Sequence, residues 1–265
     1  MKNTEIINIL VGGFSIKIIF KKTELNVAKK ILKNNIEDFF ANFIENKPKS
    51  PDFIIEITEE EKLELLSEKN KSKYYLAFFE IIKKNRIKTH YLINIFQFQS
   101  LVNFVLLRLS EKNKILFLHS SAVKINNKAY IFLGKSGAGK STTANLLKNR
   151  YFKLSDDITL IRKEASKYNL YQSPILEKNL ITKTSSGTTV NSVYFLKKSK
   201  HFEIKKITNK EYVLKLISKQ IFTRDEHYST QIKYLMEFIS EFDNFYFLYF
   251  SKSSKGLIKL LENTL

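Results

Sequence analysis

The sequence predicts an α/β protein in which a smaller α+β region, residues 1–112, precedes an α/β domain, residues 113–265. Two observations lead to this prediction. Short apolar runs of strand type alternate with stretches of helical periodicity along the chain. A glycine-rich segment at 134–139 joins one such run to a helix-forming stretch, whereas the first region contains no catalytic pattern. We therefore expect the first region to be a scaffold or recognition domain and the second to carry the chemistry.

The composition predicts a folded chain with a sizeable core. Of the 265 residues 43% are hydrophobic, including 22 Phe and 13 Tyr, which argues against disorder. The chain has no Cys, and this excludes disulfides, thiolate metal sites and Cys nucleophiles. A chain without Cys fits a reducing compartment, so we expect a cytoplasmic protein.

The net charge of +19 raises the question of a nucleic-acid partner, because a basic surface releases counterions when it covers phosphates. Only five of the 45 basic residues are Arg, the side chain that most often reads bases and phosphates with paired hydrogen bonds. We therefore interpret the lysine excess as compositional and expect no dedicated nucleic-acid site.

No membrane association is predicted. The most apolar long stretch, Ile95–Leu109, is interrupted by Gln97, Gln99, Asn103 and Arg108. A membrane span needs about 20 mostly apolar residues, so this stretch is better read as a helix of the fold.

In the first region, the elements follow from periodicity and turn residues. Gly12 and Gly13 separate two apolar runs, which indicates two strands joined by a turn rather than a signal peptide. The Glu- and Lys-rich stretch Glu59–Lys73 is typical of a solvated helix followed by a loop. The other predicted elements are strands Ile6–Val11 and Phe14–Phe20, helix Glu24–Asn46, strand Asp52–Thr58, the hairpin of Tyr74–Ile82 with Ile87–Ile93, and helix Gln97–Leu109.

The second region begins with two apolar runs, Ile115–Val123 and Lys128–Leu133, separated by a turn at Asn126 and Asn127. A helix is predicted to begin inside the glycine-rich segment and to run to about Asn149. We also predict that Ser173–Asn191 forms a mobile substrate loop. The remaining predicted elements are strands Phe152–Leu154, Ile158–Arg162 and Val193–Leu196, helices Glu211–Lys219 and Ile232–Phe242, and strand Phe245–Phe250.

The segment IFLGKSGAGKSTT, residues 131–143, carries the strongest chemical signal, and three of the seven glycines of the chain lie in it. It matches the pattern G-x-x-x-x-G-K-[ST], in which glycines let consecutive backbone N–H groups face phosphate oxygens before a helix N-terminus. In this pattern Lys140 reaches the β- and γ-phosphates and the Ser141 hydroxyl ligates Mg²⁺. The predicted nucleotide-binding residues are Gly134, Lys135, Ser136, Gly137, Ala138, Gly139, Lys140, Ser141 and Thr142.

Two further features lie at strand ends close to this motif. Asp156 and Asp157 follow an apolar strand, and such a pair can divide two tasks, one carboxylate serving Mg²⁺ and the other accepting a proton. His119 follows the apolar residues Ile115–Leu118 ahead of the motif, where it is either a structural or a catalytic residue. We predict Asp157, Asp156, His119 and Lys140 as catalytic residues, with Ser141 and Asp156 at the metal.

The segments LHSSAV (118–123), IFLGKSGAGKST (131–142) and KLSDD (153–157) together resemble the catalytic domain of the HPr kinase/phosphorylase family, with its serine-kinase and lasso-peptide-kinase branch. ATP-dependent phosphoenolpyruvate carboxykinase is a more distant likeness. The resemblance implies a mixed-sheet P-loop domain and the cofactors ATP and Mg²⁺. It further implies that Asp157 takes a proton from a seryl hydroxyl, that Asp156 lies near the metal, and that His119 is the active-site histidine.

The resemblance also implies a partner: a serine-containing protein, peptide or small molecule that accepts the phosphoryl group. It leaves a homo-oligomer open. Thr142 stands where bifunctional members usually carry Glu, and Ser185–Thr189 is the nearest stretch to their glycine-rich dephosphorylation signature. These departures argue against phosphorylase activity and against HPr as the acceptor. The alternative prediction is a nucleotide-binding or ATPase module without phosphotransfer, although the LSGGQ segment of transport ATPases is absent from the sequence.

Overall fold

The computed structural model describes residues 4–46, 50–60, 64–67, 74–174 and 184–264. The chain divides into two compact units, Met1–Leu109 and Ser110–Leu265. Each unit contains a mixed β-sheet together with helices, so the protein is α/β with two mixed sheets.

The first unit has a five-stranded sheet within the described residues, in the order β1-β2-β3-β7-β6. The central neighbours β2, β3 and β7 run parallel, and β1 and β6 pair antiparallel at the two edges. Strands β4 and β5 form a separate antiparallel pair. The elements are β1 (Glu5–Val11), β2 (Phe14–Phe20), α1 (Asn26–Phe39), β3 (Phe53–Thr58), β4 (Glu64–Ser67), β5 (Tyr74–Ala77), β6 (Phe79–Lys83), β7 (Arg86–His90) and α2 (Ile95–Asn113), which continues past the unit boundary.

The predicted turn between the first two strands is confirmed. Gly12 and Gly13 have φ values of +61° and +78°, which L-residues with side chains rarely adopt. A two-residue loop with both φ values positive matches the right-handed twist of the strands it connects. The register follows from it, with Val11 paired to Phe14.

Three predictions for the first unit are wrong in part. In the predicted hairpin of Tyr74–Ile82 with Ile87–Ile93, only β6 pairs with β7, whereas Tyr74–Ala77 is a separate strand that pairs with β4. The predicted helix Glu24–Asn46 ends at Phe39 and is followed by a 3₁₀ turn, because the Phe40 and Phe43 rings turn into the buried core. The predicted solvated helix within Glu59–Lys73 is, where described, the strand Glu64–Ser67, which pairs with Tyr74–Ala77. That pairing supplies backbone partners that local periodicity does not reveal. Residues 61–63 and 68–73 lie outside the described part of the chain.

The second unit has a nine-stranded mixed sheet within the described residues, with the main path β11-β9-β10-β14-β13-β12-β8. Strand β16 runs parallel to β14, and β15 pairs with β16. The elements are β8 (Ile115–His119), β9 (Ser121–Ile125), β10 (Lys128–Leu133), α3 (Lys140–Leu147), β11 (Phe152–Ser155), β12 (Ile158–Glu164), β13 (Lys167–Gln172), β14 (Thr188–Lys198), β15 (Glu203–Lys206), α4 (Lys210–Ile217), α5 (Tyr228–Glu241), β16 (Phe245–Phe250) and α6 (Ser254–Glu262).

Helices cover both faces of this sheet around β14. Because successive strand residues point to opposite faces, Val193 and Phe195 join one core and Tyr194 and Leu196 the other. The first core also contains buried side chains of α4 and α5, and the second contains those of α3 and α6. The sheet is therefore fixed on both sides, which holds the loops at its strand ends.

Several boundaries in the second unit differ from the prediction. The turn at Asn126 and Asn127 is confirmed, with φ values of +48° and +59°. The helix after the glycine-rich segment is shorter than predicted and ends at Leu147. Strands β13 and β15 and helix α6 were not predicted. Strand β15 has four residues, three of them charged, whereas α6 has a helical apolar period, with Leu257 and Leu261 buried, that the sequence analysis missed.

The predicted substrate loop Ser173–Asn191 is shorter than expected, since Thr188 to Asn191 belong to β14. Its central part, residues 175–183, lies outside the described residues. Among the described helices, none has the length and apolar character needed to cross a bilayer.

Candidate functional site

Two chain connections meet next to the end of β10. Strands β8 and β9 lie near opposite ends of the sheet path, yet only Ser120 separates them in sequence. Strands β11 and β12 are separated by only Asp156 and Asp157. The sheet must therefore curve strongly, and the two connections lie side by side, with His119 opposite Ile158. This curvature gathers the predicted site residues.

The glycine-rich loop, residues 134–141, leads from β10 into α3. Gly139, the residue before the helix, has φ +105°, a conformation that favours glycine. At Gly134 a Cβ atom would lie 2.7 Å from the Cβ of Ala138, closer than packed carbon atoms approach. The tight path of this loop therefore depends on the absence of a side chain at both positions.

The amino terminus of α3 faces this loop. No side chain of the described residues caps it, and the first turn is closed by the bond from the Thr143 N–H to the Gly139 carbonyl, at 2.8 Å. The preceding backbone N–H groups of a helix have no partner within the helix. Such a terminus, at the end of a glycine-rich turn, suits a bound anion.

Lys140 is the charged side chain held inside the loop. It is 8% exposed, and its Nζ donates to the Gly134 carbonyl at 2.7 Å. Burial lowers the pKa of the Lys140 ammonium, and the nearby Asp157 carboxylate partly offsets this effect. A buried cation of this kind gains free energy when an anion enters beside it.

Consecutive serines at the β8–β9 connection hold the parts together. The buried Ser121 hydroxyl donates to the Lys140 carbonyl at 2.7 Å, and the Ser120 N–H donates to the Asp157 carbonyl at 2.9 Å. The Ser120 hydroxyl also lies 2.6 Å from that of Thr159. These bonds attach the glycine-rich loop and the aspartate turn to one short segment. The sequence pattern did not reveal this role, because buried hydroxyls in LHSSAV have no periodic signature.

His119 and Asp157 form a pair at the surface of this cluster. The Nε2 atom of His119 lies 2.6 Å from Oδ1 of Asp157, and the side chains are 47% and 55% exposed. A carboxylate hydrogen-bonded to an imidazole can accept a proton from a hydroxyl or a water molecule. The structure thus brings two predicted residues into contact at a place that solvent reaches.

Asp156 points away from solvent and is bound by a residue that the sequence analysis missed. Its Oδ2 lies 3.1 Å from Nζ of Lys153, and both side chains are at least 92% buried, with exposures of 4% and 8%. The same Nζ donates to Oδ1 of Asn145 in α3 at 2.9 Å. In a chain with 45 basic residues, nothing distinguishes Lys153 from the solvated lysines.

The other predicted binding residues lie around the loop. Lys135, Ser136 and Gly137 form its exposed rim, Ala138 is half-buried, and a turn is closed by the Ala138 N–H to the Lys135 carbonyl at 3.0 Å. Ser141 is exposed in the first turn of α3, and Thr142 beside it is half-buried.

For a metal, the described residues contain no group of three or more His, Asp or Glu placed to hold an ion. Mg²⁺ is ordinarily bound through one or two protein oxygens together with substrate phosphates and water. Ser141 and Asp156 are oxygen donors of that kind: Ser141 is exposed in the first turn of α3, and Lys153 links Asp156 to Asn145, one helical turn further along α3. The donor set is compatible with Mg²⁺ that arrives with a phosphate ligand.

Comparison with known proteins gives one family. Residues 82–228 match the model described as "SynChlorMet cassette protein ScmC", which is more than half of the chain and includes His119, the glycine-rich loop and both aspartates. No curated protein matches the sequence. The HPr(Ser) kinase/phosphatase from Coxiella burnetii is a similar solved structure, with 13% identity and a TM-score of 0.32 over 56% of this chain and 95% of that one.

Proposed function

This chain belongs to the ScmC family, and we propose that it is an ATP-dependent kinase that transfers the γ-phosphoryl group of Mg-ATP to a serine-type hydroxyl. The acceptor is a protein, a peptide or a small molecule. The observation that carries the proposal is the His119–Asp157 pair, 2.6 Å apart, whose Asp157 charge acts on the loop lysine Lys140. A proton acceptor beside an anion-binding loop is what phosphoryl transfer to a hydroxyl requires.

The nucleotide half of the proposal rests on the glycine-rich loop. Its backbone N–H groups and the amino terminus of α3 bind the β- and γ-phosphates, and Lys140 turns from the Gly134 carbonyl to the phosphate oxygens. The ammonium is already positioned and partly dehydrated, so the loop needs little reorganisation when the nucleotide binds.

Ser141 and Asp156 would hold Mg²⁺, which neutralises charge on the phosphate oxygens when it is bound. Ser141 is exposed at the amino end of α3, where its hydroxyl can reach a metal on the phosphates. Asp156 is oriented by Lys153, so its carboxylate stays close to the same face of the helix.

The acceptor half rests on Asp157. Its carboxylate takes the proton from the acceptor hydroxyl. At the same time the hydroxyl oxygen forms a bond to the γ-phosphorus, and the bond between that phosphorus and the β–γ bridging oxygen breaks. ADP leaves with the electron pair of the broken bond. His119 donates a hydrogen bond to Asp157 and thereby orients the carboxylate.

One observation favours a second candidate, an ATPase module without an acceptor. The His119 and Asp157 side chains are about half exposed, so water reaches the proton acceptor in this state. The same pair could activate water and drive hydrolysis.

Mass spectrometry separates the two candidates. The chain is incubated with Mg-ATP and with free serine, a Ser-terminated peptide and an HPr protein, and the Asp157→Asn variant is the control. A phosphorylated product that disappears in the variant supports the kinase and identifies its acceptor class. ATP loss that depends on Asp157 but yields no such product supports the ATPase module.

A further inference from the structure

The Lys153 side chain is buried, whereas the charged end of a lysine side chain ordinarily lies in solvent. Its ammonium lies 3.1 Å from the Asp156 carboxylate and 2.9 Å from the Asn145 amide oxygen, and its side chain is 8% exposed. Burying a lysine is unfavourable unless the charge is paired and hydrogen-bonded. Both conditions are met here, by one partner on the aspartate turn and one on the helix that follows the glycine-rich loop.

An irregularity in β11 lies next to this contact. The pairing of β11 with β9 changes register between Lys153 and Ser155, and Asp156 follows directly after the strand. Within this irregular stretch the Leu154 carbonyl accepts a hydrogen bond of 2.7 Å from Nε2 of Gln172, the last residue of β13.

Asn145 places the pair relative to the predicted metal ligand. Residues four apart on a helix share a face, so Asn145 lies directly below Ser141 on α3. Lys153 connects Asn145 to Asp156 through its hydrogen bond and its ion pair. A cation already stands beside the carboxylate that the proposed function assigns to Mg²⁺.

We propose that Lys153 is a positioning residue that holds the Asp156 carboxylate over α3 and suppresses its binding of free divalent metal, so that Mg²⁺ enters the site only with the nucleotide. The proposal rests on the nucleotide-binding half of the proposed function. The ammonium offsets the charge of Asp156 at short range, and a free metal ion would have to approach this positive charge. Nucleotide phosphates supply the additional negative charge and oxygen ligands that overcome it.

The test measures Mn²⁺ binding to the full chain without nucleotide, by the electron paramagnetic resonance signal of free Mn²⁺. We expect Lys153→Met to bind Mn²⁺ at least about tenfold more tightly than wild type, because one positive charge is removed next to the carboxylate. Lys153→Arg keeps the charge, so its affinity should stay within about twofold of wild type. In the Lys153→Met/Asp156→Asn double variant the gain should disappear.

Folding is controlled separately, because removing one partner of a buried pair is destabilising. If Lys153→Met unfolds in the presence of a chelator, refolding by millimolar Mn²⁺ supports the proposal, since the metal then replaces the ammonium. A chain that stays unfolded with Mn²⁺ overturns it. So does a folded Lys153→Met variant with unchanged Mn²⁺ affinity, or a gain that persists with Asp156→Asn.

These outcomes are independent of phosphotransfer. A chain that behaves as expected with Mn²⁺ but yields no phosphorylated product contradicts the kinase and leaves the role of Lys153 intact. If the wild-type chain phosphorylates an acceptor while Lys153→Met has wild-type Mn²⁺ affinity, the kinase is supported and the role of Lys153 is contradicted.

Discussion

His119, the last residue of β8, and Asp157, in the β11–β12 connection, are 38 positions apart in sequence, yet the imidazole Nε2 and the carboxylate Oδ1 are 2.6 Å apart. The contact exists because the β8–β9 and β11–β12 connections run side by side, with His119 paired to Ile158. The Ser120 N–H donates a hydrogen bond to the Asp157 carbonyl at 2.9 Å and fixes the backbone position of Asp157. The pair is thus a product of the sheet topology.

Replacing Asp157 by Asn should abolish transfer while nucleotide binding persists. The amide has the shape of the carboxylate but cannot accept the proton, so turnover should fall by about 10²–10⁴-fold. Titration with a fluorescent ATP analogue should give an affinity within about threefold of wild type, since Asp157 does not touch the phosphates in the proposal. Retained transfer in this variant would remove Asp157 from the role of base.

Replacing His119 by Ala should lower turnover by about ten- to a hundredfold, because Asp157 loses the group that orients it. His119→Gln keeps an N–H donor at similar reach, so we expect it to recover part of the loss. Combined with Asp157→Asn, the His119→Ala change should have little further effect, since both residues act as one unit. Additive losses in this double-mutant cycle would contradict the pairing.

Replacing Lys140 by Met should abolish nucleotide binding without unfolding the chain. The buried ammonium is penalised by desolvation and makes one bond, to the Gly134 carbonyl. Its removal should change the free energy of unfolding by less than about 1 kcal/mol. The measurements are a nucleotide titration and denaturant unfolding, and a large loss of stability would show that Lys140 is primarily structural.

Nucleotide affinity should fall in alkaline solution. Because burial lowers the pKa of Lys140 below its ordinary value of 10.5, the folded chain loses this proton at lower pH than the unfolded chain does. The cost of burying the charged ammonium therefore lowers the free energy of unfolding in full below the lowered pKa. This cost disappears as pH rises above 10.5, where the lysine is neutral in both the folded and the unfolded chain. Titrations in steps from about pH 7 to about pH 10 should show affinity decreasing with pH. A flat profile would mean that the ammonium does not contact the phosphates.

Two glycines of the same loop offer a matched comparison. Gly134→Ala places a Cβ atom 2.7 Å from that of Ala138, so it should distort the loop, abolish nucleotide binding and cost roughly 1–3 kcal/mol. Gly137→Ala meets no heavy atom within 4 Å, and only its φ of +76° is unfavourable. We expect Gly137→Ala to retain most of the affinity in the same titration. Equal effects of the two changes would argue against the steric explanation.

Gln231 should be essential for the edge strand that carries His119. It is fully buried in α5, its Oε1 accepts from the Phe117 N–H at 2.9 Å, and its Nε2 donates to the Ile115 carbonyl at 2.8 Å. Gln231→Leu leaves both backbone groups unpaired, which should lower the free energy of unfolding by roughly 2–5 kcal/mol. Lys233→Gln, an exposed change two residues away, is the control and should stay within about 0.5 kcal/mol in denaturant unfolding.

Much of the fold could be predicted because its signals are local. Gly12 and Gly13 indicate a hairpin through their own conformational freedom, and Asn126 and Asn127 do the same in the second unit. Apolar periods gave α2 and α5, with boundary errors of up to four residues. Strands β4, β13 and β15 were missed. Strand β15 pairs with β16, far away in sequence, which no local period records, whereas β4 and β13 pair with strands close in sequence, β5 and β12.

The sequence by itself determined the glycine-rich loop between a strand and a helix, since Gly134, Gly139 and Lys140 are set by local backbone geometry and by the pattern that phosphates require. It also supplied His119, Asp156 and Asp157 as candidates, without their contacts. Only the tertiary structure decided that His119 faces Asp157, that Lys153 and Asn145 hold Asp156, and that Ser120 and Ser121 join the parts. The physical reason is that these contacts arise where the curved sheet brings the β8–β9 and β11–β12 connections together, and this arrangement follows from strand order rather than from any one segment of the chain.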